Sequence, residues 1–151
     1  MILNVNDVYP MLKIKTPKGT DFYQEHSKVI DKSGYVWFCR FGKNNMKFES
    51  FDTDNRVLII KEGSRIGGGL YVAKYEEFYK KLPNDVSETP DYYNDITQDP
   101  AVWFKIIELK KMDDKYLDTA FVVNASGGSI RNILKSMCPA FFVKCLKQIS
   151  L

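Results

Sequence analysis

Three groups of residues in this chain have types and spacings that could do chemistry. Asp91 follows Pro90, and Glu108 and Lys110 close an apolar stretch further along. Two carboxylates and a lysine in that order could hold Mg²⁺ and steady charge on a phosphate. Ser126-Gly127-Gly128-Ser129, followed by Arg131, could cradle an anion with backbone N–H groups at a helix start, two hydroxyls and a guanidinium one turn in. Trp37 and Trp103 each sit in an apolar β-forming stretch, where an indole near a strand end can stack on a flipped base. Each group also has a plainer role: a solvated strand edge for Glu108 and Lys110, an N-cap for Ser129, and core packing for both tryptophans.

Other chemistries are excluded by what is missing. The glycines at 67 to 69 are followed by Leu70-Tyr71 rather than Lys-Ser/Thr, so no P-loop is present, and Ser126 has Asn124 where a nucleophile elbow needs glycine. Cys39, Cys138 and Cys145 include no Cys-x-x-Cys pair, and His26 is the only histidine, so neither a structural zinc site nor another metal site is expected. The thiols read as buried groups in a reducing compartment. A serine or cysteine triad would have to draw His26 from a separate helix, where a surface or helix-end role fits it better. No cofactor is expected.

The elements that must position these residues follow from periodicity and punctuation. Asp21 before Phe22 to Ile30 predicts a capped helix ending at Gly34. Tyr35 to Phe41 predicts a strand, Phe48 and Phe51 lead into a second, and Val57 to Ile60 make a third. Gly67-Gly68-Gly69 before Leu70 to Ala73 predicts a bulge, or a place where another backbone or a ligand comes very close. A short helix is predicted over Glu76 to Leu82, then a surface excursion from Asn84 to Pro100 with five acidic residues. Ala101 to Leu109 predicts a strand, Asp113 to Lys115 a turn, and Thr119 to Asn124 its return strand. Ile130, Ile133, Leu134 and Met137 form a helical stripe, and Ala140 to Cys145 a last strand. The expected fold is α+β: one domain over 1–151, a small curved mixed or antiparallel sheet closed as a β-barrel with two or three short helices.

The chain has 151 residues, of which 14% are aromatic, and a net charge of +3. Counted along the chain, residues 1–75 carry +4, 76–118 carry −5 and 119–151 carry +4. If the two ends fold beside each other, one face is basic enough for a phosphate backbone, with the acidic middle turned away. Lys43, Lys47, Lys61 and Arg65, in turns beside apolar strands, could form its rim. No apolar run approaches a membrane span, and the first residues lack a signal-peptide pattern, so a cytoplasmic protein with no membrane partner is expected.

Two resemblances sharpen these readings. Pro90-Asp91 with Ile107-Glu108-Leu109-Lys110 resembles the PD-(D/E)xK signature of metal-dependent nucleases, although Ser87-Glu88-Thr89-Pro90 is not the apolar strand that family places before its aspartate. The order of elements around Gly34 to Phe41, Val102-Trp103-Phe104-Lys105-Ile106, the return strand to Asn124, the Ser/Gly-led helix and the last strand resembles the PUA-like superfamily, its EVE and YTH branches above all. That resemblance implies a pseudobarrel that flips a modified base into an aromatic pocket of DNA or RNA. It implies Trp37 as a wall of the pocket, with Tyr35 and Trp103 beside it, Ser33 and Asn124 as readers of the base edge, and Lys43, Arg65, Ser126, Ser129 and Arg131 as phosphate contacts. The expected function is a non-catalytic nucleic-acid reader, such as the targeting domain of a restriction or defence system. The alternatives are a nuclease using Asp91, Glu108 and Lys110, or an immunity or inhibitor module that binds a protein partner through 84–99.

Overall fold

Strands β1 (Ile2–Leu3) and β2 (Val8–Ile14) precede helix α1 (Phe22–Ser33) in the computed structural model, which describes residues 1–42, 55–63 and 68–151. The helix begins and ends where local chemistry says it must. The Asp21 side chain accepts a hydrogen bond from the Gln24 N–H at 3.0 Å. Gly34 takes a left-handed conformation at φ 84° and returns its N–H to the carbonyl of Ile30. Strands β3 (Val36–Phe41), β4 (Val57–Glu62) and β5 (Leu70–Tyr79) follow, then a 3-10 turn at Asp91–Asp95 and the long strand β6 (Pro100–Lys111). The chain finishes through α2 (Tyr116–Thr119), β7 (Phe121–Val123), α3 (Ile130–Leu134), β8 (Ala140–Cys145) and β9 (Ile149–Ser150).

The result is an α+β fold around a seven-stranded mixed sheet, in the order β3-β6-β5-β4-β2-β8-β7, with β1 and β9 paired separately. All its neighbours are antiparallel except β2 and β4, which run parallel with Met11 opposite Ile59. Alternation sends the two sides of each strand into different cores. Val57 and Ile59 face a cluster closed by Leu117 of α2 and Ile130 and Leu134 of α3. Leu58 and Ile60 face another, closed by Phe22 of α1 with Phe38 and Phe104. At the β3 end of the sheet a third cluster forms on the other side of the strands, from Trp37, Cys39 and Trp103.

Several expectations are corrected. The helix predicted over Glu76 to Leu82 is the second half of β5, because β6 is long enough to pair with it: Glu77 lies opposite Lys105 and Tyr79 opposite Trp103, past bulges between Lys74 and Glu77. The strand predicted over 119–124 shortens to Phe121–Val123 and pairs with β8 rather than returning along β6. Helix α3 stops at Leu134, leaving Met137 98% exposed instead of on its apolar stripe. Lys13 Nζ takes the end of that helix by donating to the carbonyls of Leu134 at 3.1 Å and Ser136 at 2.6 Å. Strand β2, between β4 and β8, is absent from the predicted elements. Pro10 argues against a central strand, yet here it sits opposite Phe142 inside one. The candidate strand at Phe48 and Phe51 lies outside the described residues.

Candidate functional site

Where β2, β3 and β4 end, the chain leaves a cleft of about 1250 Å³. Each strand is turned away from it at a glycine with positive φ: Gly19 after β2, Gly42 after β3 and Gly63 after β4. The Gly63 N–H donates to the carbonyl of Ile14 at 2.8 Å, which ties the ends of the two parallel strands together. The floor is Phe22 and Phe38, packed edge to face at 5.8 Å, and the half-buried rings of Phe41, Tyr92 and Tyr93 line the side. Lys15 and Lys18 stand exposed at the rim, and Arg40 is half-buried, its guanidinium pKa lowered by burial. Thr16, between the lysines, has a buried hydroxyl with no hydrogen-bond partner among the described residues.

Tyr93 is the joint between the cleft wall and the sheet. Its oxygen accepts the Cys39 N–H at 2.9 Å, on the edge of β3 that no strand among the described residues covers. Its proton has an acceptor in His26 Nε2 at 3.2 Å, because His26 Nδ1 donates to the Phe22 carbonyl at 2.9 Å. His26 is therefore fully buried and neutral, not a surface or helix-end residue. Burial pulls its pKa down to about 4 and pushes that of the Tyr93 phenol well up. The Cys39 thiol is pushed up to about 12 by burial, which makes it inert at neutral pH.

At the mouth of the cleft, the Tyr71 hydroxyl donates to the Glu62 carboxylate in the space that a side chain at residue 69 would fill. The close approach at Gly69 is thus made by side chains of the chain itself, not by another backbone or a ligand. Gly69→Ala is expected to break the Tyr71–Glu62 bond and lower stability by about 1–3 kcal/mol, read from the urea midpoint of unfolding. An unchanged midpoint would show that the pair shifts aside without cost.

The residues singled out in the sequence fall in four separate places. Trp37 and Trp103 are 4% and 6% exposed, on one face with Cys39, covered by Val86 and Tyr93 and flanked by Tyr35. Neither indole N–H has a hydrogen-bond partner among the described residues. Tyr35 lies edge-on to Trp37 with Lys105 Nζ over its ring at 4.6 Å, and Ser33 donates to the Glu88 carboxylate at 2.7 Å. Asn124, Ser126, Ser129 and Arg131 belong to the other end of the strand order, around β7 and α3. There Ser126 Oγ accepts the Gly128 N–H, and Ser129 caps α3 without a side-chain bond. Arg131 is held by Asp114 at 2.8 Å and Asp118 at 3.1 Å. Lys61, expected on a rim, is fully buried in β4, donates to the carbonyls of Glu62 and Gly68, and lies 3.9 Å from Asp114.

Asp91 lines a separate pocket of about 410 Å³ with Asp21, Glu25 and Asp95, whereas Glu108 and Lys110 stand on β6 opposite Lys74 and Val72. Among the described residues no group of three or more His, Cys, Asp or Glu side chains could hold a metal ion. Lys43, Lys47 and Arg65 lie outside the described residues. The structure thus brings together Tyr35, Trp37 and Trp103 and leaves the phosphate and carboxylate sets apart. The cleft residues were missed, although Lys13-x-Lys15-x-x-Lys18 and Tyr92-Tyr93 are both visible in the sequence. Among the described residues no helix is long and apolar enough to cross a membrane. Comparison with protein-family models, with curated proteins and with solved structures finds no match.

Proposed function

We propose that the protein is a nucleic-acid-binding module that takes an unstacked base into the cleft between β2 and β3. The observation that carries this is the cleft itself, which joins two exposed lysines, half-buried aromatic faces and the unpartnered hydroxyl of Thr16. Stacking on one ring contributes on the order of 1–3 kcal/mol, so the basic rim must supply the rest. In this reading Tyr92 and Phe41 serve as the base wall expected of Trp37, and the two tryptophans back that wall through Tyr93. Thr16, rather than Ser33 or Asn124, reads the base edge. The PUA-like pseudobarrel belongs to the same proposal. Cα atoms of β2 and β3 come within 8 Å of each other although three strands separate them in the pairing order, as a curled sheet would require. Binding is favoured over cleavage because Asp91 and Glu108 share no pocket.

Fluorescence anisotropy with a labelled single-stranded oligonucleotide tests the proposal. Lys15→Ala combined with Lys18→Ala is expected to weaken binding about tenfold at about 50 mM salt and to lower the salt slope by about 1.4. Arg131→Ala is the control, expected to leave affinity unchanged while costing about 1 kcal/mol of stability through its lost carboxylate partners. Unchanged affinity in the lysine variant, or loss confined to Arg131→Ala, would overturn the placement of the site.

A further inference from the structure

The acidic middle of the chain was expected to turn away from the basic face, and it does not. Residues 84–99 carry Asp85, Glu88, Asp91, Asp95 and Asp99 with no lysine or arginine. Part of this segment, Tyr92 to Gln98 with Asp95 among them, forms a wall of the same cleft as Lys15 and Lys18. Its anchors are mostly uncharged: the Tyr93 hydroxyl on Cys39 and His26, and the Glu88 carbonyl accepting the Trp37 N–H at 2.8 Å. Two carboxylates are hydrogen-bonded: Glu88 accepts from Ser33, and Asp85 accepts the Ser87 N–H within the segment at 3.0 Å. The carboxylates of Asp91, Asp95 and Asp99 are exposed and make no hydrogen bond or ion pair among the described residues. Asp91 attracts Lys28 of α1 across the neighbouring pocket, and Asp95 is the one of the three that lines the cleft.

We propose that this segment is an autoinhibitory strap, a built-in polyanion set against the basic rim, an inference that rests on the nucleic-acid reading above. Fixed negative charge within a Debye length of the cleft, about 10 Å at 0.1 M salt, opposes an incoming phosphate backbone. The strap therefore sets a threshold that weak, nonspecific polyanions fail to cross. Its carboxylates act through charge alone, so replacing them leaves the anchoring bonds in place.

The test compares the wild-type chain with Asp91→Asn, Asp95→Asn and Asp99→Asn combined, using the same labelled oligonucleotide and circular dichroism to confirm an unchanged fold. The triple variant is expected to bind about tenfold tighter at about 50 mM salt, with the gain shrinking at about 200 mM. Binding by the variant alone supports both the strap and the nucleic-acid reading. Binding by both proteins with equal affinity overturns the strap and leaves that reading standing. No binding by either protein at low salt overturns the nucleic-acid reading and the strap with it.

Discussion

Trp37→Ala is expected to lose about 3–5 kcal/mol of stability, whereas Trp37→Phe is expected to lose no more than about 1 kcal/mol. The difference comes from what surrounds the indole. Trp37 is packed edge-on to Tyr35 and at 6.0 Å from the ring of Tyr79, with only 4% of its surface exposed, so truncation leaves a cavity that the sheet cannot close. The indole N–H, however, is buried without an acceptor among the described residues. Phenylalanine removes that unsatisfied donor along with some packing, and the two effects largely offset one another. Urea unfolding of the three proteins checks the ranking; a Phe variant as unstable as the Ala variant would show that the N–H is satisfied. A non-aromatic Trp37→Leu variant separates packing from recognition: if it folds normally and binds the oligonucleotide as the wild type does, Trp37 is core and the wall of the base site lies elsewhere.

The second large effect is on pH. His26 stays neutral in the folded protein down to about pH 4, while in the unfolded chain it titrates near 6.5. Between those values the unfolded state binds the extra proton, so stability is complete above about pH 6.5 and falls as pH falls. The expected loss is roughly 2 kcal/mol by pH 5 and about 3 kcal/mol at pH 4. Protonation would also make Nε2 a donor, leaving the Cys39 carbonyl at 3.4 Å as the acceptor for the Tyr93 proton. His26→Phe keeps ring packing against Phe22 and Phe38 and is expected to flatten the profile between pH 6.5 and 4.5. A variant that keeps the full acid dependence would assign it to other groups.

The sequence is legible wherever a signal and its consequence lie within a few residues. Asp21 and Gly34 mark both ends of α1, and the apolar runs at Val36, Val57, Ala101 and Ala140 all prove to be strands. Where a residue's fate depends on a distant partner, that locality fails. Glu76 to Leu82 has helix-forming residues but meets an unpaired length of β6 and extends along it. Pro10 lies in a central strand, paired only with Phe142 of β8, because the pairing with parallel β4 begins one residue later at Met11.

The candidate site divides in the same way. Residue types alone show that the chain has no P-loop motif, a single histidine and no Cys-x-x-Cys pair, and that charge is split between basic ends and an acidic middle. Tertiary structure decided which charges face solvent and which face each other. Arg131 is bound by Asp114 and Asp118, Lys61 is buried in β4, and Lys15 and Lys18 are left at the open rim. It also decided that the acidic segment lines the cleft and covers both tryptophans. The physical reason is range: caps and alternation act over one turn or one strand, but exposure, ion pairing and pKa are set by whatever the fold packs alongside, at any separation along the chain.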